Sequence, residues 1–184
     1  MKTLFTILFV IFLSSNVAIA QKCKPADKHK DDFTGVTYNL WGGKIDNARQ
    51  MLRGTSQEFH LYLTNMDSKS IIYFIVTYIQ RESDASVNKI EFPKGTKFRL
   101  KTSENEILEF TAEKSENAKR RFQHIYSTIF NLSAEISNED IEKLMNSTLT
   151  MYQLEPEESE SMQGEISSKT AEKIQKQIKC FSEI

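Results

Sequence analysis

The chain is predicted to be mainly β: an antiparallel β-sandwich or curled sheet with one short internal helix and a C-terminal amphipathic helix. Three observations predict it. Apolar residues alternate with polar ones in short runs that recur roughly every 8 to 14 residues, the spacing of strands in sandwiches. A capped segment of helical character follows at Ser137, and the last apolar stripe, from Ala171 to Phe181, has helical period.

Residues 1–20 stand apart from that fold. Met1 and Lys2 lead into the apolar run Leu4 to Leu13, and Ala18-Ile19-Ala20 supplies the small-x-small pattern that signal peptidase cuts after. The apolar run is about half the length a membrane-spanning helix needs. A signal peptide cleaved after Ala20 is therefore expected, followed by a single β-rich domain over 21–184. Gln21 and Lys22 precede Cys23, which argues against lipidation at the cut. The expected location is secreted or periplasmic, with no transmembrane anchor.

From Phe33 the pattern has period two, with Val36, Tyr38 and Leu40 opposing Thr37, Asn39 and Trp41. Gly42-Gly43 is read as a turn. Phe59, Leu61 and Leu63 alternate with Glu58, His60 and Tyr62, which predicts a half-buried strand. Ile71 to Ile79 is apolar on both faces, as in a central strand. Phe98 and Leu100, then Ile107, Leu108 and Phe110, flank Ser103-Glu104-Asn105-Glu106 as a hairpin with a four-residue polar loop. Glu113 to Arg121 reads as a charged loop and Phe122 to Asn131 as a strand.

Ser137 is an N-cap with Asp140 at the third helical position. Ile136 and Ile141 have the spacing of a hydrophobic staple, so a short helix over Asn138 to Met145 follows. Thr148 to Leu154 returns as a strand. Glu155, Pro156, Glu157, Glu158, Glu160 and Glu165 predict an acidic flexible connection over 155–166. The terminal helix is expected over 167–182, with Ala171, Ile174, Ile178 and Phe181 on its buried stripe. Cys180 lies about 120° from that stripe at about 100° per residue, facing sideways.

Cys23 and Cys180 are the two cysteines of the chain, and an oxidising compartment favours a bridge between them. The formal charge is −1, and loss of Lys2 lowers it by one unit, so no overall field recruits nucleic acid. The two basic clusters, around Lys22 to Lys30 and at Lys119-Arg120-Arg121, have acidic neighbours. A nucleic-acid partner is not expected.

Phosphate loops, a Gly-x-Ser-x-Gly elbow, a His-Glu-x-x-His helix and paired Cys-x-x-Cys units are all missing from the sequence. No catalytic residue and no cofactor is assigned. The recurring constellation is His-x-Tyr, at His60-Leu61-Tyr62 and His124-Ile125-Tyr126, a spacing that puts both polar heads on one face of a strand. If the two strands were neighbours, His60 and His124 with Glu58 would offer a metal site or a general base. The opposing reading makes both histidines decoration of a sheet rim. Trp41, the one tryptophan, either packs in the core or stacks on a sugar or partner. Asn131-Leu132-Ser133 and Asn146-Ser147-Thr148 match the N-glycosylation pattern.

Asp31 to Gly43, Ile136 to Leu144 and Ala171 to Cys180, with the leader ending Ala-Ile-Ala, resemble uncharacterised exported β-rich proteins of Bacteroidota. The resemblance implies compartment and fold, and lends no catalytic residue. The expected function is that of an exported, non-catalytic binding or interaction module of the cell envelope. Its partner would be an envelope or extracellular protein or a glycan, and the chain itself a monomer. Two rivals are a metal-assisted hydrolase using His60 and His124, and a secreted inhibitor or adhesin acting by edge-strand pairing.

Overall fold

The computed structural model describes residues 23–30, 36–50, 55–80, 91–122, 125–155 and 161–183. The leader expected over 1–20 and the cleavage site after Ala20 lie outside them. The strands are β1 (Asp27–Lys30), β2 (Thr37–Gln50), β3 (Thr55–Met66), β4 (Lys69–Gln80), β5 (Lys97–Thr102), β6 (Ile107–Thr111), β7 (Lys114–Phe122), β8 (Ile125–Glu135), β9 (Leu149–Glu155) and β10 (Met162–Glu165). The helices are α1 (Asn138–Asn146) and α2 (Ser168–Ser182). Two antiparallel sheets result, one of six strands in the order β1-β2-β3-β4-β8-β7 and one of four in the order β10-β9-β5-β6. The mainly β architecture expected from period-two alternation is what the chain adopts.

The core lies between the sheets. Ile72, Phe74, Val76 and Tyr78 of β4 point inward and are buried, while Ile71, Tyr73, Ile75 and Thr77 occupy the opposite face. Phe74 packs at a tilt against Phe98 of β5, with ring centroids 5.6 Å apart, and against Tyr152 of β9 at 5.8 Å, and Phe59 of β3 meets Tyr152 at 4.7 Å. These aromatic pairs join the inner faces of the two sheets. The stripe Ala171, Ile174, Ile178 and Phe181 buries α2 against the same core, beside β2 and α1. Ser137 caps α1 by accepting from the Asp140 amide at 3.1 Å. The hairpin loop 103–106 lies between β5 and β6, with Asn105 at φ +64°. Among the described residues no helix is long and apolar enough to cross a membrane.

Cys23 and Cys180 form the expected disulfide, with Cα atoms 5.5 Å apart. Cys180 is buried rather than merely sideways, because the half-buried Cys23 covers it.

Three local expectations change. Gly42-Gly43 is not a turn: β2 runs straight through it, because Gly42 at φ +148° brings the backbone so close to β3 that a Cβ would sit 2.0 Å from the Leu61 carbonyl oxygen. The irregularity follows two residues later, as a register shift between Lys44 and Asp46. The charged stretch Glu113 to Arg121 is mostly β7, at the edge of the larger sheet, where charged side chains can stay in water and discourage further pairing. The acidic connection 155–166 contains β10, which pairs with β9 from Met162↔Leu154 to Glu165↔Met151. Gly164 is the reason it fits, since a Cβ there would meet the Tyr152 hydroxyl at 2.6 Å.

Candidate functional site

The outer face of the six-stranded sheet carries the larger cavity described, a trough of about 350 Å³. Strand register builds it in two rows. Tyr62 of β3 opposes Tyr73 of β4, which opposes Ser133 of β8, which opposes Lys114 of β7. In the next row Ile75 opposes Asn131, which opposes Glu116, and His60 opposes Ile75 from just beside the cavity. Tyr38 and Leu40 of β2, with Thr64 and Met66 of β3, complete the lining. Residues from β2 and from the far edge strand β7 share one cavity, so the sheet is curled across its width.

The lining mixes aromatic faces with hydrogen-bonding groups. Burial raises the Tyr73 phenol above its ordinary pKa, helped by Glu116 and Tyr38, and burial with Asp27 does the same for Tyr62. Both phenols stay protonated through the physiological range. Thr64 is 1% exposed, and its Oγ1 has no hydrogen-bond partner among the described residues. A buried hydroxyl without a partner is costly, which sets this residue apart on the trough. Lys114 and Glu116 contribute one charge of each sign.

His60 and Glu58 sit together beside the trough. The His60 Nε2 lies 3.5 Å from a Glu58 carboxylate oxygen, and its Nδ1 lies 3.3 Å from the Tyr62 hydroxyl. Lys44 donates to Glu58 at 2.5 Å and, with His60, holds that carboxyl below its ordinary range. Burial is the main cause of the lowered pKa of His60, outweighing the opposite pull of Glu58. A neutral imidazole with its Nε2 proton toward Glu58 leaves Nδ1 to accept from Tyr62. The phenol proton is thereby engaged, and its oxygen is left to accept from a ligand.

Convergence of the two His-x-Tyr pairs would need adjacent strands, and β4 runs between β3 and β8. His124 itself lies outside the described residues. Among the described residues no three His, Cys, Asp or Glu side chains group as metal ligands, and Glu58 is already engaged by Lys44. Of the two readings of Trp41, the structure shows core packing: it is 4% exposed and faces inward opposite Leu63, so its indole has no surface to offer a sugar. Of the two sequon asparagines, Asn131 lines the trough and Asn146 is exposed at the end of α1.

Sequence did not single out Tyr38, Thr64 or Tyr73 as site residues, and Ser133 stood out only as part of the Asn131 glycosylation pattern. The signal lay in Ile71 to Ile79, whose second apolar face reads equally well as cover for a sandwich or as an open binding wall. A smaller depression of about 110 Å³ lies on the other sheet. There Arg99 is held by Glu109 at 2.6 Å and by Glu155, a saturated ion network. No family model, curated protein or solved structure matches this chain.

Proposed function

We propose that this protein is an exported, non-catalytic binding module of the cell envelope, of the kind the resemblance to Bacteroidota β-rich proteins implies, and that the trough is its binding surface. The observation that carries the reading is the aromatic cavity across β2, β3, β4, β8 and β7 with a buried, partnerless Thr64 hydroxyl in its lining. Preformed pockets of roughly 300–1,000 Å³ with a few convergent polar groups are the usual ligand sites of proteins. The Glu58–His60–Tyr62 chain supports binding because it fixes the orientation of a phenol on the trough. Export is supported by the leader pattern in 1–20 and by the Cys23–Cys180 pair, which suits an oxidising secreted or periplasmic location.

The test is to incubate the protein with extract of its own envelope, re-isolate it and identify what it carries by mass spectrometry. The wild type is expected to retain a species that Tyr73→Ala loses while keeping its thermal transition. Equal retention by the two would remove the trough from the reading.

A further inference from the structure

We infer that the trough takes a short, uncharged glycan segment, anchored through the Thr64 hydroxyl and stacked on tyrosine rings. This rests on the reading of the trough as the binding surface. A sugar ring presents apolar C–H faces and a rim of hydroxyls that both donate and accept. The trough offers a match to each. Tyr62 and Tyr73, opposite one another on β3 and β4, both line the trough, and Ile75 lies in the next row. Asn131 and Ser133 of β8 supply an amide and a hydroxyl from the same face, two residues apart.

An acyl chain would fill the volume but leave Asn131 and Ser133 desolvated against hydrocarbon and the buried Thr64 hydroxyl still without a partner, which disfavours it. A charged ligand would meet Lys114 and Glu116 together, so neither sign is selected. A neutral polyhydroxylated ligand satisfies the polar set and covers the aromatic set at once. Thr64 is the discriminating group: its Oγ1 is buried without a protein partner, and a ligand hydroxyl that reached it would relieve that deficit.

The experiment follows amide chemical shifts of the ¹⁵N-labelled protein during titration with maltotriose, cellotriose, laminaritriose and N-acetylchitotriose, and separately with sodium decanoate. At least one trisaccharide is expected to shift Thr64, Tyr73 and Asn131 saturably. Thr64→Val, which keeps the side-chain shape, should weaken that binding roughly ten-fold. Tyr73→Ala should weaken it more than Tyr73→Phe does. Affinity unchanged by Thr64→Val and Tyr73→Ala would overturn the inference. Shifts in the trough from decanoate, and from none of the trisaccharides, would overturn the glycan while leaving the binding surface standing. Probe-induced shifts that never fall in the trough would overturn both.

Discussion

Reducing the Cys23–Cys180 bridge should lower stability substantially without unfolding the protein at room temperature. The bridge spans a sequence separation of 157, nearly the whole described chain. The chain-entropy model gives a loop of that length about 5 kcal/mol, an upper figure because native bridges often deliver less. The Cα separation of 5.5 Å is within the range that bridged cysteines adopt, so closing the loop requires no backbone distortion. Other interactions hold both ends after reduction. Ala26 donates to the Leu40 carbonyl at 2.8 Å and β1 pairs with β2, while α2 keeps its buried stripe. For a chain of this size each kcal/mol shifts the melting temperature by roughly 2–4 °C, which puts the expected fall at about 10–20 °C. Differential scanning calorimetry with and without phosphine reductant measures it, and thiol titration of the unreduced protein should find no free cysteine. Coincident transitions in the two redox states would refute the entropic argument. Loss of the transition at room temperature would refute the claim that the core stands alone.

Ser137→Ala removes the cap on α1 and should cost about 1 kcal/mol in urea unfolding, with an unchanged midpoint counting against the cap. Thr64→Val should stabilise the ligand-free protein by about 1 kcal/mol, because it removes a buried hydroxyl with no protein partner. Destabilisation by that variant would mean the hydroxyl is already satisfied. For pH, burial lowers the folded pKa of His60 below its ordinary value of about 6.5, so its contribution is present above that value. It is lost as the pH falls toward the folded pKa, since the unfolded chain takes up the proton first. Glu58, also lowered, adds a loss of the same sign below the ordinary carboxylate range. The unfolding midpoint should therefore drop on acidification, and His60→Gln should flatten the part between neutral and the carboxylate range. An identical slope in that variant would exclude His60 as the cause.

Local rules made several elements legible from sequence. The Ser137 cap, the α2 stripe, the β5–β6 hairpin and the central character of β4 each depend on periodicity or on side chains reaching backbone a few residues away. The disulfide was legible because the chain has two cysteines, which leave one pairing within it. Other features depend on partners far along the chain. The stretch Lys114 to Phe122 has little intrinsic strand character, and it becomes β7 because β8 offers an open edge. Gly42 continues a strand because Leu61 approaches from β3, a contact invisible in the local pattern.

The trough illustrates the division most clearly. Sequence alone places Tyr73 and Ile75 opposite Phe74 and Val76, since strand side chains alternate. It does not say which set is covered. Tertiary packing decides that: the four-stranded sheet and the helices close over the face carrying Phe74, pressing it onto Phe98 and Tyr152. The other face curls until β2 and β7 share one cavity, leaving Tyr73 as a wall and Thr64 buried without a partner. Alternation is a property of one strand, whereas coverage depends on how many layers the whole chain can place against a sheet.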